Sequence, residues 1–328
     1  MPKELIHFKT ALTTGDALSG TRFSSCLDSQ PHGLLLGSVM HDALFYGINK
    51  NAGPLNRLAH QLHGVDGQDT FTLLRLQAEH ASTLSDNNLA TALFIGMVSH
   101  LYADVSMHPM VWHLSGNYFA PDKKAKSQAR QRHRALESLM DMVICPDMIG
   151  RPLFSIKRLL RHVGDNLYKA LPMKRLAELA DISHDELIIG LHHAFSVFAA
   201  LQGLYPNKTL SRILFAAAPF LPRQAAEIIT LFYAPQLMKQ AGTIRGPIQF
   251  CHPVTGIALS KSIETMIHEA ATKASFFCRS LEDVVFLGKP LPQKEIGPSL
   301  DSGGSGTPAD RMHHFANPPF PKLLQLFR

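Results

Sequence analysis

The sequence is poor in the features that would mark a cross-linked mini-fold, a zinc ribbon or a disordered chain. Its four cysteines, Cys26, Cys145, Cys251 and Cys278, are widely separated and none belongs to a Cys-x-x-Cys pair. This excludes a zinc ribbon and a disulfide framework and leaves four reduced, buried thiols. Tryptophan occurs once, at Trp112; aromatics make up 8 % and charged residues 18 %, against 45 % hydrophobic residues. That balance excludes disorder, and 328 residues suffice for a substantial core. The first residues, Met1-Pro-Lys-Glu-Leu-Ile-His-Phe-Lys9, lack the apolar run of a signal peptide, and no later stretch reads as long enough to span a membrane. A cytoplasmic protein without a transmembrane segment is the default expectation, with export by a signal-independent route left open.

Period-two alternation is also missing, whereas apolar residues recur with helical spacing almost throughout. The expectation is an all-α, multi-helix bundle. Helices are predicted at roughly 32–46, 55–64, 67–83, 86–109, 125–145, 152–163, 167–180, 184–203, 208–216, 221–239 and 256–285, with Pro109 ending or kinking the fourth. Ser183-His-Asp-Glu186 has the form of a capping box. Three segments are expected: a helical domain over 1–240, a helical extension over 241–288, and a mobile tail over 289–328, rich in Pro, Gly and Ser. Residues 187–204 and 214–233 supply either core helices or a surface for lipid or a partner.

What is abundant is histidine, 18 in all, on a chain of net charge +6 and pI near 9.1. The charge suits anionic partners such as lipid head groups or nucleic acid without choosing between them. The densest basic run, residues 123–134, reads as the solvated start of a helix.

The chemistry is carried by spacing. In residues 96–109, His100, Asp104 and His108 recur every four residues, which stacks them along one helical face. Imidazole and carboxylate are zinc ligands, and a carboxylate between two histidines can bridge two ions. His133 and Glu137 repeat the spacing on the next helix, among Leu136, Leu139 and Met140, where a buried polar group needs a partner. Either pair alone is commonly no more than a surface ion pair; two such helices together point to a shared metal. Asp42 lies in a small-residue helix, Gly37-Ser-Val-Met-His-Asp-Ala43, and His63 stands before a polar loop with Asp66 and Asp69. His60 competes with His63. His41, His113, His192 and His193 read as core or surface histidines, and Asp141 as a carboxylate holding a ligating imidazole.

Taken in order, these segments of residues 1–150 resemble the zinc-dependent phospholipase C family, whose distant relatives include fungal zinc nucleases that prefer single strands. The resemblance implies a first zinc held by Asp42, His63, His100 and Asp104, a second held by His108, His133 and Glu137, and a third held by His7 with the bridging Asp104. It also implies Asp42 as the group that orients or deprotonates the attacking water. The sequence departs from the family where secreted members use a processed N-terminal Trp as a ligand of the third zinc; position 1 here is Met, and loss of Met1 would expose the amine of Pro2. The interval from Asp104 to His108 is also shorter than in the secreted bacterial enzymes.

The expected activity is zinc-dependent phosphodiester hydrolysis with two or three zinc ions, most directly release of the phosphorylated head group from phospholipid at a membrane surface. Phe45, Tyr46, Tyr102 and Trp112 are candidates for an apolar mouth, or for core. The alternatives are a nuclease on single-stranded nucleic acid, which needs base-stacking residues beside the metals, and a non-catalytic metal-binding helical protein.

Overall fold

The computed structural model of the protein describes residues 3–47, 52–118, 120–292 and 295–320. The chain begins with α1 (Glu4–Ala17), α2 (Phe23–Ser29), α3 (Pro31–Gly37), the single turn α4 (Met40–Ala43), α5 (Ala52–His63) and α6 (Phe71–Thr83). Then follow the two longest helices, α7 (Asn88–Ser115) and α8 (Lys123–Ile144). Shorter helices come next: α9 (Ile156–Val163), α10 (Asn166–Ala170), α11 (Met173–Ala180), α12 (His184–Leu204), α13 (Lys208–Ala217), α14 (Arg223–Ile229) and α15 (Ala241–Ile244). A short antiparallel hairpin, β1 (Ile248–Cys251) with β2 (Ala258–Lys261), precedes α16 (Ile263–Ser280) and α17 (Glu282–Leu287). The fold is all-α apart from that hairpin.

The apolar helix α7 is the axis. It packs against α1, α2, α3, α6, α8 and α16, and from Ala90 to Leu101 every side chain is buried. Pro109 lies inside α7 rather than ending it. A proline leaves the carbonyl four residues back without its helical donor; here that is Val105, whose oxygen faces Gly303 of the C-terminal segment.

Close approach explains the glycines of the α3–α7 crossing. A Cβ on Gly96 would lie 2.2 Å from the Leu34 carbonyl oxygen, and one on Gly37 would lie 2.3 Å from that of Leu93. Just past this crossing the helix expected over 32–46 breaks at Ser38 and Val39, so that the Ser38 carbonyl turns to α7 instead of continuing a helix.

Three further expectations are corrected. First, α1 and α2 lie outside every predicted helix. Eight of the 14 residues of α1 are buried, including Glu4, His7 and Thr14, so it has no single apolar stripe to betray it. Second, two helices are long and apolar enough to cross a membrane: α7, whose most apolar stretch is 78 % buried inside the protein, and α12, whose stretch is 39 % buried. Third, the segment expected as a mobile tail is packed through residue 320. Leu300, Ser302 and Ala309 are fully buried, and backbone bonds join Leu300 to His63, Ala309 to Val65, Ala316 to His113 and Phe320 to Leu114. Its Pro and Gly content serves turns of an ordered strap; residues 293–294 and 321–328 of the expected tail, like Met1 and Pro2, lie outside the described residues. The box at Ser183 forms as expected, with both reciprocal bonds to Glu186.

Candidate metal centre

Four separate stretches of chain converge on the middle of α7. His7 comes from α1, Asp42 from α4, His63 from the last turn of α5, His100, Asp104 and His108 from α7, and His133 and Glu137 from α8. All eight are buried; Asp42, at 6 % exposure, reaches solvent furthest.

Their polar tips stand in a chain of near-contacts. His63 Nε2 and His100 Nε2 lie 3.5 and 3.6 Å from Asp42 Oδ1, and His100 Nε2 lies 3.4 Å from Asp104 Oδ2. His7 Nε2 lies 3.5 Å from Asp104 Oδ1 and 3.8 Å from Asp42 Oδ2. On the other side of Asp104, His108 Nε2 is 3.9 Å from its Oδ1 and 3.8 Å from Glu137 Oε1, while His133 Nε2 and Glu137 Oε1 are 3.0 Å apart. Most of these gaps are too long for hydrogen bonds. They match the separation of two ligands on one ion: donors about 2.1 Å from a tetrahedral zinc stand about 3.4 Å from each other.

Hydrogen bonding fixes which atoms point inward. The Nδ1 atoms of His63, His100 and His108 sit 2.7, 2.8 and 2.5 Å from the carbonyl oxygens of Ala59, Ser38 and Leu300. A carbonyl only accepts, so each Nδ1 carries the proton and each Nε2 offers a lone pair to the centre. Those three Nε2 atoms, His7 Nε2, Asp42 Oδ1 and both oxygens of Asp104 are buried without a hydrogen-bond partner. Orphaned polar atoms are costly one by one; seven facing one another are a cradle for cations. Three overlapping sets have ligand atoms within 4.8 Å of one another: His7, Asp42 and His100; His63, His100 and Asp104; and His108, His133 and Glu137.

Electrostatics point the same way. Burial opposes ionisation of Asp104, but His108 and His100 outweigh it and hold its carboxyl well below the usual range. Burial also opposes ionisation of Glu137, whose pKa is nonetheless lowered with the help of His133 and His108. Burial, with lesser help from His100, pulls His7 down to about 3, and burial brings His133 down to about 4. His100 is raised, because Asp104 and Asp42 overcome the effect of burial. Asp104 and Glu137 are thus anionic and His7 and His133 neutral, the protonation that metal binding requires.

Other candidates fall elsewhere. His60 is exposed, against the edge of Phe45, and His113 donates from Nδ1 to the His314 carbonyl. His192 is exposed and His193 half-buried on α12. His41 is fully buried and stacks 4.6 Å from the His100 ring, sandwiching it with His7 on the other face at 4.0 Å. Asp141, expected behind an imidazole, instead accepts from the Ile6 and Leu5 backbone N–H groups at 3.0 and 3.3 Å and from the Tyr233 hydroxyl at 2.7 Å. It caps the start of α1 and so sets the helix that carries His7. Of the four aromatics proposed for a mouth, Phe45 and Trp112 touch the rings of His63 and His133, whereas Tyr46 stacks on Phe198 and Tyr102 meets Phe277, away from the centre.

Sequence reasoning missed two contributors. Tyr118, after α7, lies 4.9 Å from the His133 ring with the Arg130 guanidinium over its face. Asp301, in the C-terminal strap, places Oδ1 3.7 Å from His108 Nδ1, beside the Leu300 carbonyl. Neither has a local spacing signal. A cavity of about 170 Å³ beside Glu4, Arg151, Gln202 and Tyr233 includes none of the eight clustered residues.

A family model described as zinc-dependent phospholipase C matches residues 6–189, a stretch that holds all eight clustered residues. No curated protein and no solved structure matches the chain.

Proposed function

Because the chain belongs to the zinc-dependent phospholipase C family, we propose that its buried centre hydrolyses the phosphodiester of a phospholipid, releasing the phosphorylated head group and leaving diacylglycerol. One observation carries the reading: buried, unpartnered Nε2 and carboxylate atoms of His7, Asp42, His63, His100, Asp104 and His108 face one another at ligand-to-ligand distances.

Asp42, His63, His100 and Asp104 would hold one zinc, and His108, His133 and Glu137 a second, with Asp104 between them. His7, against both Asp42 and Asp104, would serve a third. Two dications against the three carboxylates Asp42, Asp104 and Glu137 leave a single positive charge, which the one negative charge of a phosphodiester neutralises. Zinc supplies Lewis acidity toward the phosphoryl oxygens and lowers the pKa of water. The chain's own residues do the rest. Asp42, the most exposed of the eight, accepts the proton of the attacking water; the new P–O bond forms as the bond to the glycerol oxygen breaks, and that oxygen takes up the proton Asp42 gives back, directly or through water, to leave as the alcohol. His63, His100 and His108 keep their protons on Nδ1, bound to backbone, and exchange none.

A nuclease reading draws on Tyr118, an aromatic ring 4.9 Å from that of His133 and so beside the centre. The deciding measurement is zinc content by mass spectrometry on wild type and Asp104→Asn, run with head-group release from mixed phospholipids and with cleavage of single-stranded DNA. Two or three zincs with lipid cleavage, both reduced by the substitution, are expected. One zinc or none sinks the proposal, and zinc with cleavage of DNA alone moves it to the nuclease.

A further inference from the structure

Residues 208–245 are chemically one-sided. Their five basic residues, Lys208, Arg212, Arg223, Lys239 and Arg245, are all exposed. Their one acidic residue, Glu227, is buried, takes a 2.7 Å hydrogen bond from Ser127, and faces Arg130 and Arg134 at 3.8 Å each. The surface here therefore carries positive charge with no exposed carboxylate of its own to balance it.

Apolar side chains stand out from the same region. Of the thirteen large hydrophobic residues exposed in the described chain, five belong to it, led by Phe220 at 88 % and Ile213 at 60 %, with Ile228 and Leu221 at 47 and 40 %. Phe220 ends a single 3-10 turn, Ala218–Phe220, joining α13 to α14, and Pro219 and Pro222 bracket it. With φ fixed at both prolines, the tip presents Phe220 and Leu221 on a stiff backbone, which lowers the entropy lost when they are buried in another phase. The turn packs with α13 and α14, and α14 packs on α8. The two arginines that face Glu227 flank His133 on α8, so the tip is tied to a helix of the metal centre.

We propose that the α13–α14 tip docks the protein on an anionic phospholipid bilayer, with Phe220 and Leu221 entering the head-group layer and the surrounding lysines and arginines meeting acidic lipid phosphates. Exposed aromatic and aliphatic residues in a stretch whose exposed charges are all basic are the chemistry such an interface recognises. The proposal rests on the phospholipid reading for its purpose, since docking would bring the centre to its substrate, but its test is separable.

The full-length, zinc-loaded protein is sedimented with vesicles of phosphatidylcholine alone and with added phosphatidylserine, for wild type, the double variant Phe220→Ser/Leu221→Ser, and Arg212→Glu/Arg223→Glu. Circular dichroism confirms that these exposed substitutions leave the fold intact. Wild type is expected to bind the serine-containing vesicles more tightly, and each double variant to bind them weaker by on the order of tenfold or more. Hydrolysis of a short-chain phospholipid dissolved as monomers should be unchanged. Binding that is absent in wild type, or equal in wild type and both variants, overturns the proposal, as does a dimer that dissociates only in the Phe220 variant without any vesicle binding. Vesicle binding lost in the variants, with no phospholipid cleaved by any of the proteins, supports the docking surface and instead fails the phospholipase reading.

Discussion

At the level of single residues, the centre depends on protons being held in the right place. His63, His100 and His108 each give the Nδ1 proton to a main-chain carbonyl, and His108 has in addition the Asp301 carboxylate 3.7 Å from that nitrogen. A carboxylate behind an imidazole raises its basicity toward a metal. Replacing Asp301 with Asn should therefore weaken one zinc by on the order of tenfold, the low end for such partners, with the fold unchanged. Competition with a chelator reads this directly; a titration identical to wild type would show that Leu300 suffices alone. Sequence spacing revealed His100, Asp104 and His108 because one helix face carries all three. It was blind to Asp301 and Leu300, because the bond from His108 to Leu300 spans 192 positions and no local period encodes it.

At the level of elements, the α3–α7 crossing decides whether Ser38 can reach His100. Adding a methyl group at Gly96 would set it 2.2 Å from Leu34 oxygen and 2.6 Å from Ser38 nitrogen, both of them backbone atoms with little room to yield. Gly96→Ala should cost about 1–3 kcal/mol or more in stability and lower zinc content, because parting the helices pulls the Ser38 carbonyl from His100. Urea unfolding and metal analysis check the two effects, and loss of stability with full zinc would separate crossing from centre. Helices with a clear apolar stripe, such as α8 and α9, were legible from periodicity. The buried α1 was not, since its polar residues Glu4, His7, Thr10 and Thr14 are buried along with its apolar ones. His7 itself was legible only through the family pattern. The break after α3 was hidden as well, because its cause is a contact with α7.

At the level of the whole molecule, the buried histidines make the fold sensitive to acid. His7 and His133 are held at about 3 and 4, below their ordinary 6.5, and burial lowers His41 too. A histidine depressed by folding takes its proton first in the unfolded chain, so stability falls as pH drops from about 6.5 toward the folded values. Asp104, depressed in the fold, adds a loss at still lower pH; the raised His100 and the buried Asp141, pushed up to about 8, work in the opposite sense but are two groups against three. Zinc-free protein should thus show a urea midpoint that declines between pH 6.5 and 4, since every tenfold difference in proton affinity between the folded and unfolded chain is worth about 1.4 kcal/mol. A flat profile would contradict the neutral state assigned to these rings. The packed strap is a further whole-molecule property that composition concealed: Pro and Gly signal turns, and turns occur in ordered segments as well as loose ones.

That strap also sets an order of events during synthesis. Leu300 bridges His63, through its N–H, and His108, through its carbonyl. A nascent chain that has delivered every one of the eight clustered residues, the last being Glu137, still lacks the group that fixes His108 until residue 300 has left the ribosome. Fixing of His108 is consequently a late step, and a chain stalled or clipped before Leu300 would carry the family's whole sequence signature and yet leave the His108 ring without that main-chain partner.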